Sequence, residues 1–446
     1  MKISTESYKG VRDFYPEDMF IEKYMFGKMR EAAEKFGYVE YGASILELAE
    51  LYRGKTSEEI VNQQTYTFTD RGGREVTLRP EMTPTVARMV ASKRRELSVP
   101  IRWYSIPNVF RYEQPQRGRL REHWQLNVDI FGDASTEASI EVMSLANSLF
   151  ISLGAKQSDF EILVNSRKVL DELWDKLKVN PVNRPQLTRL LDVKEKMSGE
   201  KFSAALAELL GKKDTKILIE ALESTENFIG FLCNNDANEK STAVKEIENL
   251  IERLQKNGIK NVKFSPTLAR GFDYYTGIVF EIFDTDPKNR RSLAGGGSYD
   301  NLLKAFGSDP ICAFGFGLGD VTLRDFLESH DLLPQTTSTN HLFLTILNKE
   351  SGVSNANEKS EYGITVANRL RALGINVFVD HSERPIADRI KKALKENVPY
   401  FAVIGEDEMA KISITVKNLQ AKTEKQFSLD ETGLNSLAES LKNKTF

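Results

Sequence analysis

The segment at residues 122–132 constrains the fold most strongly, because apolar and polar residues alternate along it. A period of two places successive side chains on opposite sides of a β-strand. One side would carry an apolar set consisting of Trp124, Leu126, Val128 and Ile130. The other would carry a polar set consisting of Gln125, Asn127 and Asp129. The sequence therefore predicts a strand with one side in a core and the other available for binding or catalysis.

The preceding segment predicts a partner strand and a basic loop. Arg111 and Glu113 lie two positions apart, and the Pro-Gln-Arg-Gly sequence at 115–118 is typical of a loop that joins antiparallel strands. The arginines of this loop are Arg117, Arg119 and Arg121. They could lie on a solvated loop, or their planar guanidinium groups could bind the phosphates of ATP or of a nucleic acid. Spacing alone leaves both interpretations open.

Residues 270–277 place polar side chains between apolar segments that are expected to be buried. An unpaired buried polar group costs roughly 1 to 3 kcal/mol, so such groups need partners. The polar side chains are those of Arg270, Asp273, Tyr274 and Tyr275. This cluster predicts either a dense internal hydrogen-bond network or a pocket for a polar ligand.

Four segments together resemble the histidyl-tRNA synthetase family of class II aminoacyl-tRNA synthetases, and the resemblance extends over nearly the whole chain. The segments lie at residues 9–14, 77–83, 111–121 and 268–275. The third is similar to motif 2 of the family, and the fourth to the signature peculiar to its histidyl members. Four separated matches in the same order make the resemblance specific.

The resemblance implies ATP-dependent activation of L-histidine and transfer of the histidyl group to the 3′ end of tRNA(His). Arg111 and Arg270 would be the catalytic cations at the α-phosphate, where fixed positive charge stabilises the growing negative charge. Mg²⁺ would bridge the outer phosphates. The implied ATP-binding residues are Arg111, Glu113, Arg119 and Arg121.

A histidine site and a contact with the tRNA acceptor end are implied by the same resemblance. The histidine site would consist of Glu81, Thr83, Gln125, Asp129, Arg270, Tyr274 and Tyr275, with Asp129 and Tyr275 at the imidazole ring. The tRNA acceptor loop would use Gln114, Gln116 and Arg117. A site that hydrogen-bonds both ring nitrogens can reject an analogue without them by roughly 10⁴ to 10⁵.

Three positions depart from the family pattern. Ser44 lies where motif 1 normally has a proline at the dimer contact, and Gln114 lies where many relatives have an arginine that reads the extra 5′ guanosine of tRNA(His). Thr322 occupies the position of the motif 3 arginine that normally meets the γ-phosphate. We expect another cation to compensate. The candidates are Arg119 and Arg121, with Arg324 less favoured by helix geometry.

The change at Thr322 favours one alternative function, that of a synthetase-like regulatory subunit of ATP phosphoribosyltransferase in histidine biosynthesis. Such paralogues usually lose the anticodon-binding domain and the signature at 270–275, and both are present in this sequence. A different class IIa amino acid specificity is a further alternative. The synthetase is therefore the preferred interpretation.

The predicted fold class is α+β, with a class II synthetase core of antiparallel sheet that carries a helical insertion and is followed by a C-terminal α/β anticodon-binding domain. Helical spacing at residues 17–36 is followed by apolar runs typical of strands up to about residue 132, and a second helix is predicted between Ser135 and Gly154. Helical periodicity replaces strand-like patterns near residue 165 and gives way to them again near 262. The expected parts are the core at 1–164 and 263–330, the insertion at 165–262, a linker at 331–340 and the anticodon-binding domain at 341–446.

Charge and composition limit the possible partners. Lys and Arg total 61 against 64 Asp and Glu, so any RNA contact must depend on local basic patches, and no DNA partner is expected. One such patch could lie on a helix with Arg389, Lys391, Lys392 and Lys395, although lysines there could also form a solvated surface. The resemblance implies a homodimer.

The spacing of cysteines and histidines bears on metal binding, and the length of apolar runs bears on where in the cell the protein lies. The two cysteines and four scattered histidines lack the spacing of a structural zinc site, so no structural metal site is expected. No apolar run reaches the roughly 18 residues that a membrane helix needs, and the sequence begins without a secretory core. We therefore expect a cytoplasmic protein that does not associate with a membrane.

Overall fold

A computed structural model describes residues 3–53, 64–194, 197–234, 236, 240–269, 274–347 and 356–445. The chain forms two compact units, Met1–Pro334 and Gln335–Phe446. Each unit encloses hydrophobic clusters of its own.

The first unit is built from helices around a large sheet. Its helices are α1 (Pro16–Lys35), α2 (Thr83–Ser92), α3 (Thr136–Ser152), α4 (Arg167–Lys176), α5 (Arg184–Asp192), α6 (Gly199–Leu210), α7 (Lys212–Ala221), α8 (Thr225–Leu232), α9 (Thr242–Lys256) and α10 (Asp320–Ser329). Its strands are β1 (Val39–Glu40), β2 (Leu46–Leu48), β3 (Tyr66–Thr69), β4 (Glu75–Leu78), β5 (Ile101–Ser105), β6 (Asn108–Phe110), β7 (Glu122–Phe131), β8 (Phe160–Ser166), β9 (Val262–Phe264), β10 (Ile278–Asp284), β11 (Ser292–Ser298) and β12 (Ala313–Gly319).

The large sheet has the strand order β1-β5-β7-β12-β11-β10-β8-β9 among the described residues, and β6 pairs with β7 beside this path. The central strands β5, β7, β12, β11, β10 and β8 pair antiparallel, which confirms the predicted antiparallel core. The outer pairs β1 with β5 and β8 with β9 are parallel, so the whole sheet is mixed.

Strand β7 has the two different sides that its period of two predicts. Leu126, Val128 and Ile130 are fully buried, and they join a cluster with apolar residues of α1 and α3. Helix α3 has its own apolar stripe and ends before Gly154, whose φ of +96° few other residues adopt readily. The opposite side of β7 therefore remains available for a polar site.

The insertion consists of helices α4 to α9, between β8 and β9. Four of these helices begin at a serine whose hydroxyl accepts a hydrogen bond from a backbone N–H of the first turn, which stabilises the helix start. The serines are Ser166, Ser198, Ser224 and Ser241. Trp174 anchors the insertion, because its ring is fully buried and its Nε1 donates to Thr188 Oγ1 at 3.1 Å. The helical insertion was correctly predicted from periodicity.

Helix α2 interrupts the region where the sequence pattern predicts mainly strands. Pro84 lies in the first turn, where its fixed φ favours a helix start, and Val86 and Val90 are spaced by one helical turn on the buried side. A small antiparallel sheet of order β2-β4-β3 precedes this helix. The strand prediction was therefore wrong for residues 83–92.

The second unit is a smaller α/β domain. Its helices are α11 (Ala356–Ala372), α12 (Ile386–Lys395), α13 (Glu406–Lys411) and α14 (Glu431–Asn443). Its strands are β13 (Leu342–Ile346), β14 (Val377–Asp380), β15 (Tyr400–Ile404), β16 (Ser413–Asn418) and β17 (Thr423–Ser428), in the order β14-β13-β15-β16-β17. The first three strands in this order are parallel, as predicted, and β16 and β17 add an antiparallel hairpin.

Arg389 differs from the other basic residues of α12. Its side chain is buried, its Nη1 donates to Ile346 O at 2.9 Å, and its Nε lies 3.4 Å from Asp380. It therefore belongs to the interior, whereas Lys391 and Lys395 are exposed. Throughout the described residues, no helix has the length and apolar character that crossing a membrane would require.

Candidate active site

A narrow cleft lies over the polar side of β7 and opens to solvent. Strands β7, β11 and β12 form its floor, and the start of α2 and the segment before β10 form its walls. The lining residues are Glu81, Thr83, Arg111, Gln125, Asn127, Asp129, Tyr274, Tyr275, Gly295, Tyr299, Gly315, Phe316 and Gly317. The structure thus brings together the described members of the predicted histidine site and Arg111.

Asp129 lies buried at the floor of the cleft. Its Oδ1 accepts a hydrogen bond from the Tyr299 hydroxyl, whereas its Oδ2 has no hydrogen-bond partner among the described residues. Burial raises the pKa of the Asp129 carboxyl to about 7, and the hydrogen bond from Tyr299 opposes that rise. The free oxygen of such a carboxylate is suited to an N–H donor from a ligand.

Two glycines of β12 leave space for the polar side chains of β7. A Cβ atom on Gly315 would collide with Asp129 Oδ1 and with the backbone oxygen of Val128. A Cβ atom on Gly317 would lie 2.5 Å from Gln125 Nε2. Any larger residue would therefore displace Asp129 or Gln125 from the cleft.

Glu81 and Tyr274 form one wall of the cleft. The Tyr274 hydroxyl donates to Glu81 Oε2 at 3.1 Å, and Glu81 is buried. The Tyr274 ring centroid lies 4.9 Å from that of Tyr275 and 5.9 Å from that of Tyr299. Because Thr83 begins α2 two positions after Glu81, the start of this helix positions both side chains.

Arg111 reaches the cleft from the segment after β6. Its Nε donates to Pro80 O at 2.9 Å, which fixes the guanidinium, while its two Nη atoms make no hydrogen bond within the described chain. The pKa of nearby His123 also reflects the positive charge of this region. Burial, together with the positive charges of Arg111, Arg12 and Arg119, lowers it to about 3. This part of the site therefore favours anions.

The other predicted ATP ligands lie on the loop between β6 and β7. The Arg119 guanidinium pairs with the buried carboxylate of Glu113. Arg121 stacks over the Tyr112 ring, with its Cζ 4.0 Å from the ring centroid, and donates to the Tyr8 hydroxyl at 2.8 Å. These contacts hold three of the predicted residues, Glu113, Arg119 and Arg121, beside Arg111.

The tip of this loop carries the residues predicted to contact tRNA. Gln114, Gln116 and Arg117 are exposed. Arg117 Nε donates to Asn289 Oδ1 at 3.0 Å, which attaches the loop to the connection between β10 and β11. The predicted tRNA role of the three residues stays a prediction.

The segment at residues 9–14 contacts both the loop between β6 and β7 and the start of α10. Arg121 N donates to Gly10 O at 2.7 Å, and Arg12 Nη2 lies 2.5 Å from Asp320 Oδ2 at the start of α10. Asp320 Oδ1 also accepts from Trp124 N at 2.8 Å. The segment therefore links the motif 2 loop to β7 and α10.

Three residues named in the sequence analysis lie away from the cleft or outside the described chain. Arg270 and Asp273 lie outside the described residues, so the catalytic role of Arg270 stays a prediction. Arg324 Nη2 donates to Asp18 Oδ1 at 2.8 Å, and its Nε lies 3.5 Å from Glu328. Arg324 is thus engaged on the side of α10 that faces α1.

Asn127 and Tyr299 also line the cleft; the sequence analysis placed Asn127 on the polar side of β7 without assigning it a ligand, and it did not name Tyr299. Asn127 could have been identified, because it shares the polar side of β7 with Gln125 and Asp129. Tyr299 could not be assigned from local pattern, because its contact with Asp129 depends on the pairing of β11 with β12 and of β12 with β7.

Comparison with known proteins agrees with this geometry. Residues 10–321 match the family described as histidyl-tRNA synthetase, and residues 343–437 match the anticodon binding domain. A histidine–tRNA ligase of Leptospira biflexa is 42% identical over 434 residues, which cover 96% of this chain and 97% of the relative.

Solved structures share the fold. A histidyl-tRNA synthetase from Nostoc sp. PCC 7120 superposes with a TM-score of 0.79 at 22% identity, covering 99% of this chain and 100% of the other. A protein from Bacillus halodurans C, described as an ATP phosphoribosyltransferase regulatory subunit/histidyl-tRNA synthetase, gives 0.70 at 26% identity, covering 91% and 98%. From the family match over most of its length and the identity to the Leptospira relative, the chain belongs to the histidyl-tRNA synthetase family.

Proposed function

We propose that this protein is a histidine–tRNA ligase, which activates L-histidine with ATP and transfers the histidyl group to the 3′ end of tRNA(His). The observation that carries the proposal is the buried Asp129 carboxyl, whose Oδ2 lacks a partner among the described residues at the floor of the cleft. An imidazole N–H would satisfy this oxygen, and the family match supports that ligand.

The amino acid would lie with its ring toward Asp129 and Tyr275. Its amino and carboxylate groups would face the polar wall of the cleft, which contains Glu81, Thr83 and Gln125. Glu81 supplies a negative charge suited to the α-amino group. A buried polar site of this kind selects by hydrogen bonding, because an analogue that lacks a ring N–H leaves Asp129 unpaired.

In the activation step a carboxylate oxygen of histidine attacks the α-phosphorus of ATP. The new O–P bond forms as the bond to the bridging oxygen breaks, and pyrophosphate leaves with the electron pair. Arg111 is held against Pro80 O with its Nη atoms toward the cleft, where it would stabilise the charge that grows on the phosphate. By family resemblance, Arg270 would supply the second positive charge at the α-phosphate.

Mg²⁺ would enter with the ATP phosphates. Within the described part of the chain, no group of three or more His, Cys, Asp or Glu side chains is arranged to hold a metal ion. Mg²⁺ is usually held by substrate phosphates together with one or two carboxylates. When bound, the ion would neutralise charge on the outer phosphates.

The second unit would bind the anticodon region of tRNA(His). The match to the anticodon binding domain over residues 343–437 and the exposed Lys391 and Lys395 of α12 support this assignment. We further propose that charging takes place in the cytoplasm.

A homodimer is part of the proposal. Leu48 of β2 and Phe68 of β3 both pair with Val76 of β4, so their side chains lie on one side of the small sheet. Both are about half exposed, at 51% and 49%. Covering such an apolar surface in a second subunit would stabilise a dimer. Size-exclusion chromatography with light scattering should give twice the 50.5 kDa chain mass, and a monomer would contradict it.

The regulatory-subunit alternative is less supported, because the anticodon-binding match and the 270–275 signature are both retained. Histidine-dependent exchange of labelled pyrophosphate into ATP separates the two functions. The ligase requires exchange with histidine and none with other amino acids. Arg270→Ala should abolish exchange while the protein remains folded, and loss of the fold in that variant would favour an internal network.

A further inference from the structure

Arg291, immediately before β11, lies next to the position where the motif 3 arginine is missing. The closeness of the two positions is seen at Gly118, in the loop between β6 and β7 that belongs to motif 2. A Cβ atom on Gly118 would lie 3.1 Å from Arg291 Cδ and 3.3 Å from Thr322 Cγ2. The side chains of Arg291 and Thr322 therefore both lie next to Gly118.

Thr322 itself contributes no charge to this position. Its Oγ1 donates weakly to two backbone oxygens, Leu293 O at 3.4 Å and Gly319 O at 3.3 Å. Both acceptors belong to the strands that enclose the start of α10. The Thr322 side chain is short and uncharged, and the longer Arg291 side chain comes close to it from the residue before β11.

Arg291 also lacks a counter-ion of its own. It is partly buried, and it forms no ion pair or hydrogen bond within the described residues. Burial and the positive charge of Arg119 lower its pKa, while the negative charge of Glu113 raises it. The Glu113 carboxylate already pairs with Arg119, so it does not neutralise the charge of Arg291 as well. The excess positive charge is suited to a phosphate.

The other arginines near this position are held elsewhere. Arg121 stacks on Tyr112 and donates to Tyr8, and Arg324 is bound to Asp18. Arg119 remains close, but its guanidinium is paired with Glu113. Of the cations beside Thr322, Arg291 is thus the one whose charge is least compensated within the described structure.

We propose that Arg291 binds the γ-phosphate of ATP and takes the place of the motif 3 arginine that Thr322 replaces. The inference rests on the proposed function for the identity of ATP. The cation is supplied by the residue just before β11 instead of by the helix α10, and it would reach the outer phosphate next to Gly118 of the loop between β6 and β7. Arg119 would assist from the loop side once phosphate competes with Glu113.

Binding of ATP and AMP to the full-length protein tests this assignment. Arg291→Ala should raise the Kd for ATP by at least about 10-fold, the effect of losing one charge-assisted hydrogen bond. The Kd for AMP should not change, because AMP lacks the γ-phosphate. Arg290→Ala is the matched control, since Arg290 is exposed in the same connection and should leave both constants unchanged.

A second substitution tests whether the two positions share one function. Thr322→Arg in the Arg291→Ala background should restore most of the ATP affinity, because the cation returns from α10. Equal weakening of ATP and AMP by Arg291→Ala, or an unchanged Kd for ATP, would overturn the assignment. Arg291→Gln, which keeps most of the side-chain volume, repeats the test if the alanine variant unfolds.

Failure of the inference differs from failure of the proposed function. If the wild type lacked histidine-dependent exchange but ATP binding still depended on Arg291, the ligase function would fail and the phosphate site would stand. If the wild type exchanged normally and Arg291→Ala bound ATP normally, the phosphate assignment alone would fail.

Discussion

Asp129, the proposed partner of the imidazole ring, also destabilises the folded protein at neutral pH. Burial raises its pKa from 3.8 to about 7, so the folded state holds this proton more tightly than the unfolded chain. The resulting stability is present below the unfolded pKa and is lost as pH rises through the folded pKa. At 1.36 kcal/mol per unit, the loss is about 4 kcal/mol. The empty site is therefore less stable at neutral pH because of its own ligand-binding group.

Asp129→Asn should separate these two effects. An amide does not titrate, so the variant should unfold at a higher temperature than the wild type at pH 8, with a much smaller gain at pH 4.5. Its KM for histidine in pyrophosphate exchange should rise roughly 10- to 100-fold, as expected when a charged hydrogen bond is lost. The KM for ATP should change little.

Asp133→Asn provides the control for the sign of the pH effect. Hydrogen bonds from Ser135 lower the pKa of Asp133, so its carboxylate stabilises the fold above the unfolded pKa and that stability is lost in acid. This variant should lower the unfolding temperature at pH 8. An increase in unfolding temperature for Asp129→Asn that is equal at pH 8 and pH 4.5 would argue against a buried, titrating carboxyl.

Sequence pattern identified much of the site at the scale of single residues. The period of two along β7 predicted that Gln125 and Asp129 face away from the core, and both line the cleft. The roles of residues on other segments came from family resemblance. The contact between Tyr299 and Asp129 was not predictable, because the two residues are 170 positions apart in sequence and meet only through the pairing of the strands.

At the scale of elements, the motif 2 loop is fastened to the connection between β10 and β11. Asn289 is buried at this attachment, where it accepts from Arg117 and donates to Asp284 Oδ2 at 2.6 Å and to Ser329 Oγ at 3.0 Å. The same connection carries Arg291. The position of the loop and the position of the proposed phosphate ligand are therefore set together.

Asn289→Ala should release the loop without altering the histidine site. We expect faster amide hydrogen exchange at residues 115–119 and a higher KM for ATP, with little change in the KM for histidine. Loss of the buried hydrogen bonds should destabilise the first unit by roughly 1 to 3 kcal/mol. Unchanged exchange in the loop would mean that its other contacts suffice to hold it.

The accuracy of the sequence predictions differed between elements for physical reasons. Helices α1 and α3 were predicted because apolar residues recur at helical spacing in both segments and a glycine follows each of them, Gly37 and Gly154. Helix α2 was missed because it is short and its flanking strands share its apolar content. Strand β17 was missed because most of its side chains are exposed, so it lacks an apolar pattern.

At the scale of the whole molecule, the two compact units suggest separate roles in activation and in tRNA binding. A fragment of residues 1–334 should retain histidine-dependent pyrophosphate exchange but charge tRNA(His) poorly. The cut should follow Pro334, because Leu332 and Leu333 pack against the core of the first unit. Equal charging by the fragment and the full chain would contradict the assigned role of residues 343–437.

Salt dependence provides a further measurement on the same two proteins. Neutralising RNA phosphates releases counter-ions, so tRNA affinity of the full chain should fall as salt concentration rises. The fragment should show a shallower slope, because it lacks the exposed lysines of α12. A filter-binding titration at several salt concentrations gives both slopes.

The carboxyl at the floor of the cleft has a consequence for the heat of binding. Its pKa of about 7 lies close to the value of about 6.5 for a free imidazole. Let the complex hold one proton, shared by the Asp129 carboxyl and the imidazole of histidine. At a pH midway between their two pKa values, the unbound protein and the unbound histidine together already carry one proton on these two groups on average. Titration calorimetry there should give the same heat in buffers of different ionisation enthalpy. At higher pH the complex should take up a proton from the buffer, and at lower pH it should release one.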